Sequence, residues 1–170
     1  DTFLEAIDEA IRIGREGGVA VEIFHLKAAG RRNWYKAELA IGRIEAARAE
    51  GLDIQANMYP YTAGSTGLNA CMPPWASADG KLFDNLTDPG MRATIRDEIL
   101  NQKTVWENFC ALTGPDGVLI LGLRKEENRQ YAGMYLAEIA AAMGKEWVDA
   151  LIDLIVSEEG DPSTIYFMMS

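Results

Sequence analysis

The segment FHLKAAG, residues 24–30, holds the only histidine of the sequence, His25, and a lysine two positions further on, Lys27. Both follow an apolar, β-branched run, so we expect them at the carboxyl end of a strand, where functional groups of parallel α/β folds collect. Alternation along an extended chain would direct both side chains to the same side. The imidazole could bind a divalent metal or act as a general base, and the ammonium could pair with an anionic substrate group.

Structural roles compete with this chemistry, because an isolated histidine is commonly hydrogen-bonded within the fold and a lysine after a strand is commonly solvated. A catalytic zinc site needs three protein ligands and an open position. Asp53 lies at the wrong end of its predicted strand, and Cys71 and Cys110 lack the spacing of a ligand pair. Two cysteines do not indicate a disulfide framework, so we expect free, buried thiols. The sequence therefore supplies one candidate metal ligand, His25.

The composition argues against several classes of partner. The 26 acidic and 16 basic residues give a net charge of -10, which repels phosphate backbones and anionic lipid surfaces. No apolar stretch approaches the roughly 20 residues that span a membrane, and the first residues lack the pattern of a secretory signal. We expect a cytoplasmic protein without nucleic-acid or membrane partners. Because the sequence does not begin with Met, we also expect an internal piece of a longer chain.

The first third of the chain alternates helices and strands in a way that predicts parallel α/β structure. A capping box at Thr2 would open the first helix, and Asn33 would cap the second. Such a βαβ unit fits half of a barrel or half of a doubly wound sheet. The predicted elements are a helix over 3–16, a strand over 19–24 covered on both faces, a helix from 33 to a left-handed glycine at 51, and a strand over 53–59.

Proline and glycine residues from position 60 onward predict a long loop. Asp88 and Pro89 then supply the cap and first turn of another helix. The remaining predicted elements are that helix to about 102, a turn over 114–117, a strand over 118–123, helices over 135–143 and 147–156, and a strand over 165–169.

FHLKAAGRRNW, followed by ANMYPYTAGSTGL and PPWASADGKL, resembles the N-acyl-D-amino-acid deacylases, or D-aminoacylases, a branch of the metal-dependent amidohydrolase superfamily. HLKAAG and YPYTAGSTGL are the specific parts of the resemblance. The family commonly has serine where this chain has Phe24. The resemblance implies an α/β fold, a partial (β/α)8 TIM barrel with an inserted region between late strands. Residues 1–62 would be βα units of the catalytic barrel, 63–163 the insertion or lid, and 164–170 a return strand.

The same resemblance implies a hydrolase that cleaves the linear amide of N-acyl-D-amino acids with zinc-activated water. His25 would be a metal ligand at the end of the sixth barrel strand, and Lys27, Tyr59 and Ser65 would bind the substrate carboxylate. The remaining zinc ligands and the aspartate that acts as general base would lie outside this chain. The chain alone should therefore be inactive.

Two other hypotheses stay open at this point. The protein could be a cyclic amidohydrolase similar to dihydroorotases or hydantoinases. It could instead be a non-catalytic binding or scaffold module, whose exposed sheet edges and helix faces would favour self-association.

Overall fold

The computed structural model describes residues 2–169 and divides them into two units. The first unit comprises residues 2–62 together with Met169, and the second comprises residues 63–168. The chain has α/β structure. None of the helices in the described range is long and apolar enough to cross a membrane.

The first unit is a βαβ arrangement preceded by a helix. Strands β1 and β2 pair in parallel, with Val21 opposite Ile54 and Ile23 opposite Ala56. Apolar residues of both helices pack with Ile54, which is fully buried, and burying one such side chain stabilises the fold by about 1.5–3 kcal/mol. The elements are α1 (Phe3–Gly17), β1 (Val21–Ile23), α2 (Lys36–Ala49) and β2 (Ile54–Ala56).

The helix ends of this unit follow the sequence signals at their C-termini and depart from them at their N-termini. Gly18 has φ 61° after α1 and Gly51 has φ 93° after α2, so glycine takes the left-handed position in both, as predicted for Gly51. The predicted capping box is wrong, because the Thr2 side chain makes no capping bond. The predicted cap at Asn33 is also wrong. Its side-chain amide donates to the carbonyl of Ala29 instead, and a 3-10 turn at Arg31–Asn33 precedes the helix, which begins only at Lys36.

Strand β1 is shorter and more exposed than predicted. It covers three residues, and Glu22 is exposed between Val21 and Ile23, which are half-buried. The expectation of a strand buried on both faces therefore does not hold in this chain. The strand stops at Ile23 because His25 adopts a left-handed backbone, with φ 56°.

The second unit joins a small antiparallel sheet to several helices. The strand order is β3-β5-β4, with β5 paired to both neighbours. Strand β3 lies inside the region predicted as loop. The elements are β3 (Gly64–Gly67), α3 (Leu82–Thr87), α4 (Pro89–Leu100), α5 (Phe109–Thr113), β4 (Val118–Gly122), α6 (Leu136–Met143), α7 (Trp147–Glu158) and β5 (Ser163–Tyr166), with 3-10 turns at Leu68–Cys71, Pro74–Gly80, Pro115–Gly117 and Glu126–Tyr131.

The helices and strands predicted in this unit are present, but the last strand, predicted over 165–169, lies instead at Ser163–Tyr166. Asp88 caps α4 by accepting a hydrogen bond from the amide of Met91 at 2.8 Å, and Gly144 ends α6 in the left-handed conformation. Helix α7 contributes six buried apolar residues to the core of this unit: Val148, Ala150, Leu151, Ile152, Leu154 and Ile155.

Cys71 and Cys110 form a disulfide, so the prediction of free thiols is wrong. Their Cα atoms are 5.4 Å apart, which is ordinary disulfide spacing, although 39 positions separate them in sequence. The bond joins the turn at Leu68–Cys71 to α5. Disulfides are typical of oxidising compartments, so this bond does not support the cytoplasmic location, which stays a prediction.

Reducing this disulfide should lower the free energy of unfolding. The bond closes a loop across a separation of 39 residues, which corresponds to about 4 kcal/mol of lost chain entropy in the unfolded state. Urea unfolding with and without a thiol reductant measures the difference. Cys110→Ala should be insensitive to the reductant. Two free thiols per unfolded, unreduced chain would contradict the disulfide.

A second feature of this unit is the buried carboxylate of Glu98, which is 6% exposed and organises the turn after α4. One of its oxygens accepts hydrogen bonds from the Thr104 hydroxyl at 2.6 Å, the Thr104 amide at 2.9 Å and the Trp106 indole at 3.2 Å. The Thr104 hydroxyl and amide favour the ionised form and lower the pKa of Glu98 below its ordinary value of 4.5, although burial opposes them.

This lowered pKa predicts an acid-sensitive contribution to stability. The contribution is complete above pH 4.5 and is lost as the pH falls through the lower pKa of the folded state, because the unfolded chain binds the proton more readily. The urea midpoint of unfolding should be measured above and below that pH. The difference between the two midpoints should be smaller in Glu98→Gln than in the exposed control Glu107→Gln. Equal pH profiles for the two variants would contradict a stabilising role for the ionised carboxylate.

Candidate functional site

The candidate site lies where β1 and β2 end, and one extra residue interrupts the pairing there. The Asn57 amide donates to the Ile23 carbonyl at 3.1 Å, which continues the parallel ladder. The Asn57 carbonyl then accepts from Leu26 at 2.8 Å, whereas a regular ladder would bring it the amide of His25. The chain therefore bulges at Phe24 and His25.

The His25 ring lies among aromatic side chains. It stacks on Phe24 with 3.7 Å between the ring centroids, and the Tyr59 ring meets it edge to face at 5.1 Å. His25 is half-buried, whereas Phe24 is 71% exposed. Within residues 2–169 neither ring nitrogen of His25 has a hydrogen-bond partner. The lone pair of a neutral imidazole is therefore free to bind a ligand.

Lys27 reaches back over the same group of residues. Its ammonium donates to the carbonyl of His25 at 3.0 Å and lies 5.2 Å from the centre of the Tyr59 ring, within cation–π range. Alternation along a strand does not explain this placement, because the strand has already ended. The structure nevertheless brings three of the four candidate residues, His25, Lys27 and Tyr59, into contact.

A cavity of about 290 Å³ adjoins Lys27 and Tyr59. Its wall is mainly apolar, and Lys27 is the charged residue in it. The remaining lining residues are Phe3, Leu26, Ala28, Trp34, Ala37, Ile41, Met58, Pro60, Tyr61, Thr62 and Met169. A ligand with an anionic group and an apolar body suits this lining.

Ser65, the fourth candidate, belongs to the second unit. It is exposed on β3, and its hydroxyl donates to the carbonyl of Thr164 at 3.1 Å. Extended backbone, rather than the predicted loop, therefore presents this hydroxyl.

The described residues do not form a complete metal site by themselves. Residues 2–169 contain no group of three or more His, Cys, Asp or Glu side chains arranged to hold a metal ion. His25 fits the role of one ligand, because its ring nitrogens are unpartnered and its ring is partly exposed. The disulfide removes both cysteine thiols as donors.

Sequence reasoning missed Asn57 and Glu22. The Asn57 side chain accepts a hydrogen bond from the His25 amide at 2.8 Å and donates one to the Glu22 carboxylate at 2.7 Å. A polar residue directly after a predicted strand, in ANMYPY, was the available signal.

Comparison with known proteins confirms the resemblance expected from the sequence. The chain is 37% identical over 68 residues to an N-acyl-D-glutamate deacylase of Alcaligenes xylosoxydans and 44% identical over 66 residues to a D-aminoacylase of the same organism. These segments cover 40% and 39% of this chain but only 14% and 13% of the two relatives. No family model matches the sequence.

Solved structures of similar fold align with this chain over its whole length. A zinc- and phosphonate-bound N-acyl-D-glutamate deacylase from Bordetella bronchiseptica superposes with a TM-score of 0.63 at 23% identity. A D-aminoacylase that defines a subset of the amidohydrolases superposes with a TM-score of 0.60 at 28% identity. The chain spans 26% of the length of each. The fold is thus that of a segment of these hydrolases.

Proposed function

We propose that this chain is part of a metal-dependent hydrolase that cleaves the linear amide of N-acyl-D-amino acids. The observation that carries the proposal is the convergence of His25, Lys27 and Tyr59 beyond the carboxyl ends of two parallel strands. Similarity to two deacylases over about 40% of the chain adds to it. The preference for the D enantiomer comes from these relatives alone.

In this proposal His25 is one ligand of a zinc ion whose other ligands belong to the longer protein. Bound zinc lowers the pKa of a coordinated water to about 7 and polarises a carbonyl oxygen. The aspartate that handles the proton also lies outside this sequence, so the isolated chain is inactive.

Lys27, Tyr59 and Ser65 bind the carboxylate of the substrate. Lys27 uses one of its three N–H donors on the His25 carbonyl, which holds the ammonium in place and leaves two donors for an anion. An anchored carboxylate restricts the orientations in which the acyl carbonyl reaches the metal. The apolar cavity beside Lys27 accommodates the uncharged part of the substrate.

The architecture of the proposal is a partial (β/α)8 barrel. Residues 1–62 supply its βα units, 63–163 form the insertion or lid, and 164–170 are a return strand. The parallel β1–α2–β2 unit supports the first assignment, and the separate antiparallel sheet of the second unit supports an insertion.

The alternative of a cyclic amidohydrolase differs in substrate and can be assayed directly. The full-length enzyme should hydrolyse N-acetyl-D-amino acids and leave hydantoin and dihydroorotate rings closed. Ring opening without deacylation would replace the proposal. A scaffold module would show neither activity and would bind no zinc.

His25→Ala should abolish zinc binding and activity of the full-length enzyme, because it removes a metal ligand. The loss of zinc affinity should exceed the roughly 10- to 100-fold cost of removing a partner of a ligand. Phe24→Ala, which removes the stacked neighbour and keeps the imidazole, should retain zinc. Metal analysis of the purified variants provides the measurement, and unchanged zinc in His25→Ala would refute the proposed ligand.

Lys27→Ala should raise KM for N-acetyl-D-amino acids by about 10- to 100-fold, the value of one charge-assisted hydrogen bond. The change in kcat should be smaller, because the carboxylate anchor does not take part in bond cleavage. The exposed Lys81→Ala serves as the charge-matched control. An unchanged KM in Lys27→Ala would exclude the carboxylate anchor without affecting the metal assignment.

A further inference from the structure

The bulge at the end of β1 points to a task for Asn57 that the proposed function leaves unassigned. We infer that Asn57 is a positioning residue, whose side chain holds the left-handed backbone of His25 and so sets the direction of the imidazole. This inference rests on the proposed function, because it takes His25 to be a metal ligand.

The hydrogen bonds at the bulge show how Asn57 accommodates one extra residue. In a regular parallel ladder the Asn57 carbonyl would accept the amide of His25, but here it accepts Leu26 at 2.8 Å. The displaced His25 amide donates to the Asn57 side-chain oxygen, also at 2.8 Å. One asparagine therefore receives two successive amides, one with its backbone and one with its side chain.

The bulge needs such a partner because of its conformation. His25 has φ 56°, a region that residues with a Cβ atom adopt at a cost. Bulges are rare in parallel pairs and redirect side chains next to functional sites. The bond from the His25 amide to Asn57 favours this conformer over an extended one, which would turn the ring elsewhere.

Glu22 fixes the orientation of the Asn57 amide. A carboxylate only accepts hydrogen bonds, so the amide nitrogen of Asn57 faces Glu22 at 2.7 Å. The amide oxygen is left facing His25. Glu22 lies on the exposed side of β1, one residue before its end, and makes no contact with the His25 ring among the interactions of residues 2–169. Its effect on His25 therefore passes through Asn57.

The first test measures zinc affinity of the full-length protein by competition with a chromophoric chelator, starting from the metal-free form. Asn57→Ala should weaken zinc binding by about 10-fold or more, as expected for loss of a group that orients a ligand. Its thermal midpoint should change little, because the backbone bonds of residue 57 remain. Asn33→Ala, which removes an asparagine side-chain hydrogen bond elsewhere in the same unit, should bind zinc normally.

An exchange of the amide of Asn57 and the carboxylate of Glu22 distinguishes a positioning role of Asn57 from a general contribution to stability. Asn57→Asp places two carboxylates together and should weaken zinc binding. Adding Glu22→Gln should restore it, because the glutamine amide then donates to the new carboxylate, which still accepts from His25. Glu22→Gln alone should bind zinc normally, since its carbonyl can accept from Asn57.

The outcomes separate this inference from the function on which it rests. Normal zinc affinity in Asn57→Ala, with loss of zinc in His25→Ala, would overturn the positioning role and leave the metal ligand in place. Zinc retained in His25→Ala would overturn the proposed function itself. If Asn57→Ala does not fold, the exchange decides, because a double variant that does not recover zinc affinity contradicts the inference.

Discussion

The parallel register of β1 and β2 is the constraint on which the first unit depends. It places Val21 opposite Ile54 and so keeps Ile54 in the core between the two helices. A shift of one residue would turn Ile54 toward the other face of the sheet. The same shift would move Asn57 away from His25. These two residues are 32 positions apart in sequence, so their contact depends on the strand pairing. The geometry of the site is therefore a consequence of core packing beneath it.

The end of this strand pair shows how His25, the candidate metal ligand, can depart from strand geometry and keep its backbone hydrogen bond. His25 leaves the ladder, yet its amide keeps a hydrogen-bond partner because Asn57 offers a second carbonyl through its side chain. Without that partner the exposed amide of His25 would donate its hydrogen bond to water. The left-handed backbone of His25 would then lose the local hydrogen bond that favours it. The polar side chain of Asn57, beyond the end of β2, thus stabilises the backbone conformation of His25.

The sequence predicted the positions of the helices better than the hydrogen bonds that cap their N-termini. Hydrophobic periodicity identified α1, α4, α6 and α7, because each buries a stripe of apolar residues that repeats every three or four positions. Left-handed glycines were predictable since few other residues tolerate that conformation. The predicted N-terminal caps failed because the Thr2 side chain makes no capping bond and the Asn33 side chain donates to the Ala29 carbonyl, a partner that only the folded turn supplies. Local propensity gives no information about such partners.

Contacts between segments that are distant in the sequence could not be predicted from it either. The disulfide of Cys71 and Cys110 depends on a turn and a short helix that approach each other in the folded unit. Strand β3 is rich in glycine and was predicted as loop, since its strand character comes from pairing with β5. In the candidate site, residue type and position after a predicted strand singled out His25 and Lys27, and the resemblance added Tyr59 and Ser65. The bulge that unites His25, Lys27 and Tyr59 required the coordinates, because strand alternation assumes an uninterrupted ladder.

The acidity of the chain and its proposed anionic substrate are compatible because charge acts locally. A net charge of -10 governs encounters with large polyanions, whose many phosphates sample the whole surface. A single carboxylate responds mainly to charges within about 8–10 Å, the screening length at physiological salt. Lys27 is half-buried against the Tyr59 ring, where solvent screens its charge less than at an exposed position. The net negative charge of the chain is therefore compatible with the proposed binding of a small anion at this lysine.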